Sequence, residues 1–353
     1  MLAAMTKRWK RRPEGSTWGD FGPDDERGRL NLITPERVRQ AVGEVKEGRP
    51  FCLSLPLDYP GGRALNPRRF PPELRSIFDD VTGTPRRNFP MSLVIPGRTD
   101  VMNDEAMLLC SQYSTQWDAL SHVGSHFDAD DDGVAERVYY NGFRPGEHVS
   151  GPIDYRADGS PMATGQALGA SALGVDRMAE ACVQGRGVLV DLEAHFGRKR
   201  RLVGYPELKT VIEKDAVVVA EGDLLCLHTG FAAMLLEMAR TPDAHALHHA
   251  CAVLDGRDEA LRQWITDSGI AALIADNYAV EAHPARAFQG ACADLPLHQH
   301  CLFKLGVPLG ELWHLSELAQ WLRAHGRSRF LLTAPPLRMP GAVGSPVTPI
   351  ATV

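Results

Sequence analysis

The sequence predicts a mixed α/β fold, and three observations predict it. Short apolar runs at residues 187–192 (GVLVDL), 223–228 (DLLCLH) and 270–275 (IAALIA) have the length of buried strands. Segments of helical character lie between them, so strands and helices alternate through the second half of the chain. The 353 residues contain no internal repeat and no clear linker. The expected organisation is therefore an N-terminal arm and loop (1–30) followed by a single domain (31–353), with a long loop excursion at about 59–103.

Taken in order, the start, MLAAMTKRWKRRPEG, is basic but lacks the apolar stretch of a secretory signal, and reads as a mobile arm. Residues 18–31, rich in Gly and Asp, read as loop. Thr34 as N-cap and Pro35 at the first helical position open a helix with Val38, Val42 and Val45 along one stripe. Residues 51–57 (FCLSLPL) suit a strand. The Pro-, Gly- and Arg-rich excursion either covers a site or joins a neighbouring subunit, or is an insertion without a role of its own. Residues 107–113 (MLLCSQY) suit a strand delivering the chain into a polar cluster, and 169–184 suit a helix. After the strand at 223–228 come Thr229-Gly230 and a helix over 231–240, a junction where α/β proteins place binding groups. A helix over 259–267, the strand at 270–275 ending near Asp276, Asn277 and Glu281, a helix over 317–324 capped by Ser316, and a last strand at 330–333 complete the reading.

Charge and cysteine usage narrow the function classes. A net charge of -6 with both signs interspersed offers no basic face for nucleic acid and no polybasic patch for a membrane, so a small molecule is the expected partner. No apolar run approaches the roughly 20 residues of a membrane span. The seven Cys (52, 110, 182, 226, 251, 292 and 301) are scattered and odd in number, as free thiols in a reducing cytoplasm would be.

The chemistry concentrates in residues 111–142, SQYSTQWDALSHVGSHFDADDDGVAERVYYNG. Asp118 and His122 are four apart, as are His122 and His126, while His126 and Asp128 are two apart. Such spacings converge side chains on one helix face or one strand face. Two registers are open. Asp118 and His122 are ligands in the first, with Gln116 as a polar neighbour; His122, His126 and Asp128 form the set in the second. Imidazole plus carboxylate suits zinc or manganese, and a three-ligand site with an open position suits catalysis. Trp117 either walls a substrate pocket beside Gln116 or belongs to the core.

Residues 115–123 (TQWDALSHV), with Tyr140-Asn141-Gly142 downstream, resemble the signature of the cyclase family of metal-dependent hydrolases, which includes bacterial kynurenine formamidase and isatin hydrolase. The likeness continues through 185–191 (GRGVLVD), 222–230 (GDLLCLHTG), 298–315 (HQHCLFKLGVPLGELWHL) and 336–350 (PLRMPGAVGSPVTPI). Well-studied members carry His-x-Gly-Thr-His-x-Asp-x-Pro-x-His. From His122 the chain follows that pattern to Asp128, then has Asp130 for the Pro and Asp132 for the last His. The Gln-Trp-Asp branch instead aligns Asp118 and His122 with the first two His, and this register is favoured. The resemblance implies His298 and Glu311 as further metal or proton-transfer groups, with His300 competing for the His role. It also implies a mixed sheet of the swivelling β/β/α type and assembly as a homodimer or homotetramer.

Other motifs have plainer readings. Asp128-x-Asp130-x-Asp132-Gly133 opens like an EF-hand loop, but Tyr139 stands where the loop needs Glu, so an acidic turn is expected. Residues 341–346 (GAVGSP) lack the Lys of a phosphate loop and read as a tight turn near a ligand. His245, His248 and His249 read as surface. Ser114, Thr115 and Ser125 have no evident base.

The expectation is a metal-dependent hydrolase in which a metal-activated water opens a cyclic amide or cleaves an N-acyl or formyl amide. His298 or Glu311 moves the proton, with His126 in reserve. Lactone hydrolysis or ring closure at the same site, and a metal-free small-molecule binding protein of the same fold, are the alternatives.

Overall fold

The computed structural model describes residues 7–353. Its centre is a mixed sheet of β1 (Pro50–Cys52), β2 (Gln116–Asp118), β3 (Gln184–Asp191), β4 (Leu224–His228), β5 (Ala272–Ala275), β6 (Leu309–Glu311), β7 (Arg329–Thr333), β8 (Gly344–Pro346) and β9 (Ile350–Thr352). The strands lie in the order β1-β9-β7-β3-β4-β5-β6-β2-β8. β3 to β6 run parallel, and antiparallel pairs flank them on both sides. The mixed α/β expectation holds.

The helices are α1 (Pro35–Val42), α2 (Val175–Glu180), α3 (Leu192–Phe196), α4 (Tyr205–Lys214), α5 (Phe231–Glu237), α6 (Ala244–His249), α7 (Glu259–Ser268), α8 (Pro296–His298) and α9 (Ser316–Ala324). The central strands are apolar on both faces because helices cover both. Val188, Val190, Leu225, Leu227 and Leu273 alternate onto one face, against Leu208 of α4 and Leu261 and Ile265 of α7. Leu189, Leu224, Cys226 and Ile274 point the other way, against Val175 of α2 and Leu318 and Leu322 of α9. A third cluster joins Phe231 and Leu235 of α5 to Leu55, Tyr59, Leu65 and Leu312, and so fixes the base of the excursion.

Several expectations need correction. The apolar run before the polar cluster does not enter the sheet; Glu105–Leu108 pairs with Glu73–Ser76 in an exposed outlying hairpin. The polar triplet QWD takes the sheet position instead, because Trp117 fills the core while its neighbours find polar partners. The helix expected over 169–184 shrinks to α2, since Gly169–Ala170 pairs with Val149–Ser150 and Leu173 is left-handed (φ 62°). α5 stops at Glu237, with Ala239 and Arg240 also left-handed. Two further strands, β8 and β9, follow the one expected last.

From Lys7 onward the N-terminal segment is packed rather than a mobile arm; residues 1–6 of that reading lie outside the described residues. Trp18 is buried, its indole N–H donates to the Phe303 carbonyl at 2.7 Å, and its ring meets Phe303 edge-on at 5.2 Å. The excursion leaves Leu74, Phe78, Val81, Leu93 and Val101 exposed. Among the described residues no helix is long and apolar enough to cross a membrane. All seven Cys are free; Cys226, Cys251 and Cys301 are buried, whereas Cys52, Cys182 and Cys292 are exposed.

Candidate metal centre

Strand alternation builds the site. On β2, Gln116 and Asp118 share one face and Trp117 takes the other. Trp117 is therefore core rather than pocket wall: it packs edge-on against Trp313 at 5.1 Å and donates to the Ala334 carbonyl at 2.7 Å. β2 pairs antiparallel with β6, setting Asp118 opposite Leu309 and Gln116 opposite Glu311. Directly opposed side chains sit close enough to interact, and the Gln116 amide donates to Glu311 at 3.2 Å and to Asp118 at 3.3 Å.

The third member arrives from α8, whose chain continues into a π-helical segment, Gln299–Leu305. Such segments are rare and concentrate at functional sites. His298 Nε2 lies 3.3 Å from Glu311 Oε1 and 3.9 Å from Asp118 Oδ2. Asp118, His298 and Glu311 are all buried, and one potential ligand atom from each lies within 4.8 Å of the others.

Glu281 orients the imidazole. Its carboxylate contacts His298 Nδ1 at 2.9 Å and accepts from the backbone N–H groups of Leu297 and His298. That leaves Nε2 facing the two carboxylates, as a ligating imidazole requires. Burial alone would lower the His298 pKa, but Glu281 and Glu311 outweigh it and push it up to about 10. Ala279 and Val280, just before Glu281, are left-handed (φ 71° and 58°). A β-branched residue rarely adopts that conformation, and such strain concentrates at functional sites.

Two glycines make room. A Cβ on Gly256 would meet Glu281 Oε2 at 2.0 Å, and one on Gly344 of β8 would meet Gln112 Cγ at 2.5 Å. The Gln112 amide thereby folds over the site, bonding to Asp118 Oδ1 and lying 3.1 Å from His122 Nδ1.

The donor set fits a divalent ion. Two carboxylates and an imidazole suit zinc or manganese. Asp118 Oδ2 is buried with no hydrogen-bond partner, although buried polar atoms are ordinarily paired. A cation contacting it would meet that unmet demand.

Comparison with known proteins places the chain in a family. The Cyclase family model matches residues 53–282. The chain belongs to the cyclase family. A crystal structure described as a novel cyclase is 29% identical, covering 96% of this chain and 97% of that chain, with a TM-score of 0.70. Isatin hydrolase A from Labrenzia aggregata, solved with benzyl benzoate, is 17% identical over 90% of this chain and 98% of its own, with a TM-score of 0.52. Isatin hydrolase A from Ralstonia solanacearum is 14% identical over 88% and 93%, also with a TM-score of 0.52. At those identities the isatin hydrolases share the fold. No curated protein matches the chain.

The other candidate residues of this cyclase-family chain separate by place. His122 stands at the edge of the trio, its Nε2 4.0 Å from Asp118 Oδ1 and its side chain 22% exposed. His126 is exposed on the Ser125–Phe127 strand and lines an open groove with Gln299. Asp128 spends its oxygens on the backbone N–H groups of Asp132 and Gly133 at 3.0 and 3.1 Å, forming the acidic turn. The second register, which needs His122, His126 and Asp128 together, does not converge. His300 is also set apart: it contacts Thr266 at 3.0 Å, and burial, with Lys304 nearby, lowers its pKa to about 3.

The three hydroxyls near the cluster serve the backbone. Thr115 receives the Leu55 N–H and donates to the Leu312 carbonyl, Ser114 donates to the Pro56 carbonyl, and Ser125 donates to the His126 carbonyl at 3.3 Å while receiving the Gln299 side-chain amide. A Ser-His-Asp arrangement that the sequence did not suggest forms elsewhere: His228 Nδ1 lies 2.8 Å from Asp191 and Nε2 lies 3.0 Å from Ser316 Oγ. Glu193 Oε2 is also 3.3 Å from Nε2. The carboxylates on both sides raise the His228 pKa, which works against its serving Ser316 as a base, so the arrangement reads as an ion network.

Proposed function

We propose that this cyclase-family chain is a metal-dependent hydrolase of amide-type carbon–nitrogen bonds, opening a cyclic amide or removing an N-acyl or formyl group. The observation that carries the reading is the buried trio, Asp118, His298 and Glu311, with one carboxylate oxygen unpaired inside it. The relatives of the same fold named isatin hydrolase support hydrolysis as the reaction class. Zinc or manganese held by the trio would polarise the scissile carbonyl and bring the pKa of a water down to about 7.

The chain's own residues do the rest. Gln116 spaces the two carboxylates, and Glu281 holds the imidazole with Nε2 inward. Gln112 covers Asp118 and must turn aside to admit a carbonyl. His122 borders the trio and its side chain is partly exposed, which places it to hand a proton to the leaving nitrogen. Transfer of that kind contributes roughly 100- to 10,000-fold.

The test is product analysis on matched lactam, lactone and N-formyl compounds, using protein stripped by a chelator and then reloaded with zinc or manganese. Hydrolysis of the lactam or formamide by reloaded protein alone, falling in Asp118→Asn to the level of stripped protein, is expected. Turnover of the lactone alone would move the leaving group from nitrogen to oxygen. Inertness toward all three would overturn the reading.

A further inference from the structure

The outer part of the excursion and the strand after it form an arm, residues 70–110, built from two hairpins. Glu73–Ser76 pairs with Glu105–Leu108, and Phe89–Pro90 pairs with Val101–Met102. Ten of the twenty-one exposed large apolar side chains among the described residues fall between Leu74 and Leu108, a tenth of the chain. Val81 is 75% exposed, and Leu74, 64% exposed, stands directly across from Met107, itself 47% exposed. Phe89 is the one large apolar side chain between 74 and 108 that is buried, and no residue of the arm joins the three core clusters.

Such an arm does not account for its own order. A two-stranded hairpin standing alone is marginal in water, and both of its strands are open edges. At about 100 Å² each, the ten side chains offer about 1,000 Å² of apolar surface, against the roughly 800 Å² per partner of a standard interface. That is more than a soluble monomer ordinarily leaves bare. The charges indicate what covers it. Arg75 pairs with Glu73, Arg86 with Asp79 and Asp104, and Arg87 with Glu105, all within the arm. A two-fold contact sets a patch against its own copy, where like charges would meet, and charges already paired remove that penalty. The same pairing leaves no basic surface for nucleic acid or an anionic membrane.

We infer that the arm seats on the arm of a second copy of this chain, and that this contact holds Gln112 over the candidate metal centre. The arm's root carries the link. Arg69 donates to the Gln112 carbonyl, and the Phe70 N–H meets Cys110 Sγ at 3.4 Å, so the entering and leaving segments are tied together. From there the Gln112 amide reaches Asp118 Oδ1 and lies 3.1 Å from His122 Nδ1. A second copy that steadies the arm therefore steadies the group covering Asp118. The importance of that cover rests on the hydrolase reading; the assembly does not.

Sedimentation velocity of the full chain over a concentration series tests the assembly, with wild type beside Val81→Asp and beside Leu168→Asp, which places the same charge on a side chain 87% exposed outside the arm. Wild type and Leu168→Asp are expected to dimerise alike, and Val81→Asp to weaken the dimer by about thirtyfold or more. A monomeric wild type, whether or not it binds phosphatidylcholine vesicles, would overturn the inference, as would a dimer that survives Val81→Asp or is lost equally in Leu168→Asp. Hydrogen exchange on the same samples tests the link to the site: residues 109–113 are expected to exchange faster in Val81→Asp while 224–228 stay unchanged. Equal exchange at 109–113 in dimer and monomer would overturn that half. Neither assay involves a metal or a substrate, so a failure here leaves the hydrolase reading to its own test.

Discussion

Asp118, His298 and Glu311 are titratable side chains placed where water scarcely reaches, and each carries a different share of the cost. Gln116 relieves one oxygen of each carboxylate, and Glu281 relieves the imidazole, but Asp118 Oδ2 has nothing. Glu281 is therefore the residue through which ligand geometry can be changed without touching a ligand. Glu281→Gln keeps the size of the side chain and removes the charge. It is expected to weaken zinc binding by about 10- to 100-fold, read by competition with a chromophoric chelator; unchanged affinity would show that His298 is held by packing alone. Asp118 and Glu311 were legible in the sequence because one sits in a dense polar cluster and both fall within matching motifs. Glu281 was not: it lies 17 residues before His298 and acts through a short-range contact that only the folded loop creates. Trp117 stayed open between pocket wall and core, because adjacency to Gln116 means opposite faces only once the segment is known to be a strand.

At the level of elements, the parallel strands end in charged side chains that tie neighbouring segments together. His228 closes β4 and meets Asp191 at the end of β3, Glu193 in α3 and Ser316 at the start of α9, with Asp276 beyond β5 also acting on it. Burial pulls the His228 pKa down, but these carboxylates outweigh burial and raise it. Burial likewise opposes ionisation of Asp191, yet His228 and Arg323 hold its pKa low. A raised imidazole contributes stability that is complete below the ordinary value of about 6.5 and is lost as pH rises through the folded value. A lowered carboxylate contributes above about 3.9 and is lost on acidification. Urea midpoints measured across pH should therefore decline on the alkaline side in wild type, and His228→Gln should flatten that decline. An identical alkaline limb in the variant would assign it to other groups. The central strands were legible as apolar runs because both faces are covered. The 105–108 hairpin was not, because an exposed apolar segment has the same composition as a buried one.

Across the whole molecule, the candidate metal centre joins segments far apart in the chain: β2 from the first half, Glu281 from the loop after β5, α8, and β6. A bound ion would therefore link parts that otherwise meet only through the sheet, and ligand binding to the folded state stabilises all of it together. The alternation of strands and helices announced this architecture, and the ordered motifs announced the family. The packing of residues 7–30 was hidden, because a basic, Gly-rich start gives no sign that Trp18 will find the π-helical segment. The measurement that tests the central claim most directly is the metal content of purified full-length protein, wild type beside Asp118→Asn and Asp128→Asn. The account predicts about one equivalent of zinc or manganese in wild type and in Asp128→Asn, and loss of it in Asp118→Asn. Metal retained without the Asp118 carboxylate, or lost with Asp128, would contradict it.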